Sequence, residues 1–405
     1  MSVAYIATSY PPAVGGVQVH AHGLLKELAA VQRQWMVSQW DTNRTDWLLG
    51  STVRSPWRPA DYVIDGVAVR GLGFGVLDRV RMLPAVPAFY VAPWASSPWL
   101  AGVFRRRLAP LVDGADVIHA FRIGRENLVL AALREARRRG IPFVFTPTHH
   151  PRWVGYRYTV FRRIYREADR LIALTEAERA TLASLGVPED RIRVTGNGPT
   201  LAAEADAASI RERYALDGNP VVLFLGQKYP YKGLDLLLKA APLVWAKCRE
   251  ARFLFVGPRT AYSRRLFSGP RDARIIETGT LSLEAKTSAV AACTLLALPS
   301  RQESFGGVFT EAWSFDKPVI GGRIPAIESV ITDGEDGFVS PHEAGQLAER
   351  ILVLLEDSSL ATRMGRAGHD KVRRRYTWPV LAQKTHDVYR EVLRVGAATN
   401  GGGTR

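Results

Sequence analysis

Short apolar runs alternate along most of the chain with longer segments whose apolar positions recur every three or four residues. Runs of the first kind fall at residues 3–7, 35–39, 116–119, 142–146, 170–174 and 191–195, with helical patterns such as 17–30 and 126–139 between them. Strands that are apolar throughout, separated by amphipathic helices, are what a parallel sheet covered on both faces requires. After the turn cluster Gly196-Asn197-Gly198-Pro199 and an alanine-rich polar stretch, the alternation restarts at 221–225, 253–256, 274–276, 294–298 and 317–320. The pattern predicts an α/β chain of two doubly wound parallel-sheet, Rossmann-like domains, 1–200 and 201–377. An amphipathic helix over 378–395 is expected to pack back on the first domain, with a disordered tail at 396–405. Open parallel sheets bind ligands beyond the carboxyl ends of their strands, so the two sheets are expected to face each other across a cleft that holds the site.

A chain of 405 residues exceeds one ordinary core, in keeping with two domains. Cys248 and Cys293, the only two cysteines, exclude a disulfide framework and a Cys-based zinc site, and both are expected to stay reduced in the core. The opening strand runs straight into Pro11, Pro12, Gly15 and Gly16 without the basic start and long apolar stretch of a signal peptide, so the expected location is the cytoplasm. Residues 82–104 carry no charge, are long enough to span a bilayer and are flanked by Arg79, Arg81 and Arg105 to Arg107. Pro84, Pro87, Pro93 and Pro98 argue against one spanning helix, which leaves a buried or acceptor-lining segment or an element that dips into a membrane.

The net charge of +15 is unevenly spread, since residues 1–200 hold 26 basic against 16 acidic side chains. Arg152, Arg157, Arg162, Arg163, Arg166 and Arg170 are interleaved with Trp153, Tyr156, Tyr158, Phe161 and Tyr165. That mixture suits anionic lipid headgroups or a phosphorylated acceptor, and equally a solvated helix face. Peripheral contact with the inner face of an anionic membrane is therefore an open expectation. No nucleic-acid-binding motif accompanies the charge, and nucleic acid is not an expected partner.

The most specific chemistry lies in Glu303-Ser304-Phe305-Gly306-Gly307-Val308-Phe309-Thr310-Glu311, two carboxylates either side of a Gly-Gly step after a strand. A glycine loop entering a helix offers free amides and a favourable dipole to a diphosphate. Glu303, ahead of the helix, can accept from sugar hydroxyls, and Glu311, a turn inside it, from ribose hydroxyls. Either glutamate alone would read as a solvated charge. A second element, Gly226-Gln227-Lys228-Tyr229-Pro230-Tyr231-Lys232-Gly233, places two of only nine lysines in one loop at a strand end, where an ammonium could neutralise a leaving diphosphate. A third, Tyr10 to Val17 with Gly15 and Gly16, is again strand, glycine and helix, with His20 one turn inside.

These elements, in this order, resemble the large family of retaining glycosyltransferases with two facing Rossmann-like domains, the GT-B fold of the group 1, or family 4, class. The likeness spans nearly the whole chain and includes residues 168–176, the Asn197-Gly198 turn, 317–322 with Pro325 and Glu328, and 336–339. It implies metal-independent transfer of a sugar from a nucleoside-diphosphate donor to an acceptor hydroxyl with retention, the departing diphosphate helping to deprotonate the acceptor. No cofactor is implied, and the nucleotide sugar is itself the substrate. The catalytic group would be Lys232, Glu303 and His150. Donor contacts would come from Gly16, Gln227, Lys228, Lys232, Glu303, Phe305, Gly306, Gly307, Val308 and Glu311, with no metal ligand. Consistent with this, the sequence has no Asp-x-Asp motif.

Two departures matter. Family members commonly have arginine where Gln227 stands, so that either Lys228 supplies that charge or the grip on the phosphate is weaker. The family's histidine near the end of the strand after Ile141 has two counterparts here, His149 and His150, shifted by one or two positions. His119 and His20 are secondary candidates, and His119 is as readily a packed core residue. Because a fold does not fix chemistry, an epimerase or phosphorylase of the same fold, or a peripheral membrane protein with a vestigial donor site, stand as alternatives.

Overall fold

The computed structural model describes residues 1–13, 15–42, 48–57, 59–122, 125–150, 155–269 and 272–400. The chain divides into two compact units, Met1–Gly196 together with Trp378–Arg405, and Asn197–Thr377. The division falls within the Gly196-Asn197 turn, four residues before the expected boundary.

The first unit is built on eight strands, β1 (Ser2–Ser9), β2 (Arg33–Trp40), β3 (Tyr62–Ile64), β4 (Val67–Gly71), β5 (Val117–Phe121), β6 (Phe143–Thr146), β7 (Arg170–Ala173) and β8 (Ile192–Val194). Their order is β3-β4-β2-β1-β5-β6-β7-β8, parallel except where β3 runs antiparallel to β4. Along β1, Ala4 and Ile6 enter the core on one face and Val3, Tyr5 and Ala7 the core on the other. Burial on both faces explains why the strand is apolar throughout. The β3–β4 hairpin lies between β2 and β5 in the chain and at the edge of the sheet. Its turn has positive φ at both Asp65 and Gly66, a two-residue hairpin for which Asp-Gly between apolar residues is the usual signal.

Residues 82–104 form parts of three helices, Val76–Met82, Ala85–Val91 and Pro93–Leu108. Pro84 and Pro93 fall at the breaks, and no helix among the described residues is long and apolar enough to cross a membrane. The basic-aromatic stretch is largely a helix, Thr159–Glu167, that buries Phe161 and Tyr165 and turns Arg163 and Arg166 outward. Phe161 and Tyr165 of that expected surface are therefore core, Tyr158 is half-buried and Tyr156 exposed, while Arg152 and Trp153 lie outside the described residues.

The last helix, Trp378–Asn400, completes the first unit. Tyr389 is fully buried, its hydroxyl 2.6 Å from His119 Nδ1 and 3.1 Å from that of Tyr5. Glu391 accepts from Arg170 at 2.9 Å and Arg193 at 2.5 Å. The helix runs five residues past its expected end, because Ala397 and Ala398 carry strong helix propensity through the first half of the expected tail. Residues 401–405 lie outside the described residues.

The second unit holds β9 (Val221–Leu225), β10 (Arg252–Val256), β11 (Ile275–Glu277), β12 (Leu295–Leu298), β13 (Val319–Gly322) and β14 (Gly337–Ser340). All pairings are parallel in the order β11-β10-β9-β12-β13-β14, the strand sequence 3-2-1-4-5-6 of the doubly wound dinucleotide fold. Only β14 went unread as a strand. Cys293 is buried as expected, whereas Cys248 is partly exposed after the helix Leu234–Trp245.

Candidate active site

In the second sheet the strand order reverses between β9 and β12, and a crevice opens beyond their carboxyl ends because the following connections leave in opposite directions. Both lysine and glutamate motifs occupy these ends. The β9 loop closes in a short turn, Pro230–Lys232, and reverses at Gly233, whose φ of +77° is left-handed. A Cβ at Gly233 would collide with the Pro299 carbonyl, so glycine lets the β9 and β12 loops touch. The Arg301 amide donates to the Tyr231 carbonyl at 2.7 Å and ties the same loops again.

This contact brings Lys232 onto Glu303. The Lys232 ammonium donates to Glu303 Oε1, which also accepts from Ser300 Oγ at 3.0 Å. The pair is largely buried, with side-chain exposures of 16% and 10%. Beyond it, Gly306 takes a φ of +84° and caps the short helix Gly307–Trp313. On that helix Glu311 is buried and accepts from Lys286 Nζ at 2.8 Å, while Lys286 also donates to the Thr200 carbonyl. Among the described residues, Glu311 Oε2 is buried without a hydrogen-bond partner. Burial raises the Glu311 carboxyl above the usual range against the pull of Lys286. A buried carboxylate oxygen left unpaired is costly unless a hydroxyl completes it.

Not every expected donor residue sits with these. Lys228 is completely buried, and its ammonium donates to Glu277 Oε1 and the Thr278 carbonyl. It joins the end of β11 to the β9 loop, so the expectation that it offers charge to a diphosphate is corrected. Phe305 is also buried, edge-on to Tyr376 with ring centroids 5.2 Å apart. Gln227 is exposed, and Gly307 and Val308 are half-buried.

In the first unit, Gly16 opens the helix Gly16–Leu28, and a Cβ there would meet nothing within 4 Å among the described residues, so their packing does not itself require glycine at this position. His20 is buried against Phe121 and Trp378, with centroid distances of 6.2 Å and 5.9 Å. His119 is fully buried between Tyr389 and Thr146, whose Oγ1 lies 2.8 Å from Nε2, and burial pushes the imidazole down to about 3. Both secondary candidates are packed core residues. His149 is buried too, Nδ1 lying 3.1 Å from the Tyr165 hydroxyl and its amide donating to Glu178 Oε1 at 2.6 Å. Burial holds its imidazole down at about 4. His150 alone of the pair is only partly buried.

Two residues escaped the sequence reading: Ser300 and Lys286. The scarcity of lysine that singled out the β9 loop applies equally to Lys286, but its partner is 25 residues away and its helix, Leu283–Ala292, carries no motif.

Two family models match the chain, the glycosyl transferase 4-like domain over residues 15–198 and glycosyl transferases group 1 over residues 219–357. A phosphatidyl-myo-inositol mannosyltransferase of Mycobacterium tuberculosis is 30% identical over 356 residues, covering 81% of this chain and 90% of that protein. An alpha-D-kanosaminyltransferase of Streptomyces kanamyceticus is 26% identical over 353 residues, covering 79% and 91%. Among solved structures, Anabaena HepE in complex with UDP and glucose superposes with a TM-score of 0.73 at 17% identity, covering 96% of this chain and all of that one. With the fold, the strand order and these matches in agreement, the chain belongs to the group 1 glycosyltransferases of the GT-B fold.

Proposed function

We propose that this glycosyltransferase is a retaining hexosyltransferase that takes its sugar from a nucleoside-diphosphate donor and needs no metal. The observation that carries the reading is the Lys232–Glu303 pair at the switch point of the second sheet, with the Lys286–Glu311 pair beside it. An ammonium held by a carboxylate is an electrostatic device already oriented before substrate arrives, and such preorganised charge acts where negative charge grows on a leaving group. Lys232 would take up the charge of the departing diphosphate, the role a divalent cation fills in other transferases. Glu303, accepting from Lys232 and Ser300 on one oxygen, has its other oxygen for a donor-sugar hydroxyl. Glu311 Oε2 would accept from the ribose. Retention follows if the diphosphate takes the acceptor proton on the face it leaves.

Gly16 as a phosphate contact and His150 as a sugar- or acceptor-facing group belong to the same proposal and rest on the family resemblance. Acceptors of the relatives differ in kind, as their names show, and the acceptor proposed here is a hydroxyl of a lipid-linked, polysaccharide or small-molecule compound. Two free cysteines fit work in the reducing cytoplasm. Thermal-shift titration with UDP, GDP, ADP and dTDP identifies the donor base. Proton NMR of the first sugar released from the matching donor then reads its anomeric configuration. Binding of none of the four, or first release of the inverted anomer, overturns the reading.

A further inference from the structure

The helix Val76–Met82 reverses the usual distribution of a surface helix, which hides apolar side chains and shows polar ones, and the two helices after it, Ala85–Val91 and Pro93–Leu108, bury one apolar face and expose further apolar side chains on the other. In the first of them Asp78 and Arg79 are buried, whereas Val76, Leu77 and Val80 are exposed, followed by Leu83 after its end. Asp78 and the two terminal nitrogens of Arg79 are satisfied, while Arg79 Nε is buried with no hydrogen-bond partner among the described residues. Asp78 Oδ2 accepts from Arg107 Nε at 2.7 Å, and Arg79 donates to the Ser55 carbonyl at 2.7 Å and to that of Val53. Their burial thus leaves the apolar side of the helix facing solvent as a fixed feature.

The same face continues into the next two helices. Tyr90 and Val91 are exposed, as are Trp94 and Trp99, while Ser96 and Ser97 point inward. Trp99 Nε1 donates to the Arg81 carbonyl at 2.7 Å, which joins the third helix to the first, and Trp94 meets Tyr156 edge-on at 6.4 Å. Leu77 at 69% and Val91 at 76% exposure are large apolar side chains that a protein of this size would ordinarily cover.

Charge decides what covers them. Residues 76–107 contain one acidic side chain, Asp78, and it is buried, whereas Arg81, Arg106 and Arg107 are exposed. Arg81 is exposed between Val80 and Leu83, and Arg107 is paired with Asp78 at 2.7 Å. An apolar surface with interfacial tryptophans and only positive charge complements an anionic bilayer, where rings settle at headgroup depth and arginines meet lipid phosphates.

We propose that this three-helix face docks the protein on the surface of an anionic phospholipid membrane, without crossing it. The test is flotation of the full chain with vesicles of phosphatidylglycerol and phosphatidylcholine, against vesicles of phosphatidylcholine alone. Binding should require the anionic lipid, and lipid brominated along the acyl chain should quench tryptophan fluorescence. Leu77→Asp with Val91→Asp should lower partitioning about a hundredfold, on roughly tenfold for each apolar side chain withdrawn from the interface. Arg81→Glu with Arg106→Glu should abolish the preference for anionic vesicles. Both pairs are exposed, so the unfolding temperature should match that of the wild type. Equal binding by wild type and Leu77→Asp/Val91→Asp overturns the proposal, as does failure of the wild type to bind any vesicle. A concentration-dependent dimer in sedimentation velocity that the same variant dissociates would assign the face to a second copy of the chain instead.

Discussion

Glu178 supports the loop that carries both candidate histidines, and it does so as a buried acid. One oxygen accepts the His149 amide at 2.6 Å and the other the Leu174 amide at 2.7 Å, so the carboxyl fastens the end of β7 to the loop after β6. Burial nevertheless pushes it from 4.5 up to about 7, against the pull of both amides and of Arg122. A folded-state value above the unfolded one means that the folded protein holds the proton more tightly. This group's contribution to stability is fully present below pH 4.5 and is lost as pH rises through 7, a change of about 3 kcal/mol. Glu178→Gln removes the titration but offers one acceptor where two amides need one each. At low pH the variant should be no more stable than wild type, falling short by about 1–3 kcal/mol for the orphaned amide. Its stability relative to wild type should then climb by about 3 kcal/mol as pH rises to neutrality. Urea unfolding followed by tryptophan fluorescence at stepped pH measures this, because eight of the ten tryptophans belong to the first unit. A flat difference, or a variant that loses ground as pH rises, would show that the amides outweigh burial and that the carboxyl is ionised in the folded protein.

The donor site gives three more expectations. Lys232→Ala should lower turnover a hundredfold or more, about 2.7–4 kcal/mol in the barrier, with a smaller loss of donor affinity; turnover within a few-fold of wild type would remove Lys232 from the mechanism. Glu303→Gln should depress transfer while free nucleotide diphosphate still binds, and Glu311→Gln should weaken that binding by about 1.5–3 kcal/mol; calorimetry showing the opposite pattern would exchange the sugar and ribose assignments. Transfer should persist in EDTA, and a loss that manganese or magnesium restores would contradict the metal-independent reading.

Regular elements were legible because burial on both faces writes itself into β1, β9 and β12 as unbroken apolar runs. The β3–β4 hairpin is shorter and half-exposed, and only its Asp65-Gly66 turn marks it. At the site, Lys232, Glu303 and Glu311 could be read because a glycine step or strand end sits beside each. Sequence position does not reveal whether a lysine in such a loop turns outward or inward. Lys228 and Lys232 are four residues apart in one turn-forming loop, yet one meets Glu303 at the crevice and the other is sealed against Glu277. That difference depends on where β11 ends, a tertiary fact with no local signature. Lys286 was missed for the same reason, since the chain reaches Glu311 only by way of β12.

The return of the last helix to the first unit also dictates a schedule for synthesis. Tyr5 and His119 complete their buried cluster around Tyr389, so one of the two cores of the first unit stays unfinished until this helix has been made. At about 5–20 residues per second, the wait across the intervening unit is roughly ten to forty seconds. The second unit is continuous in sequence and can fold within that interval, which makes the later-made half the first to mature. A nascent chain stalled before Trp378 should accordingly present a folded second unit and a first unit still open to chaperones and proteases.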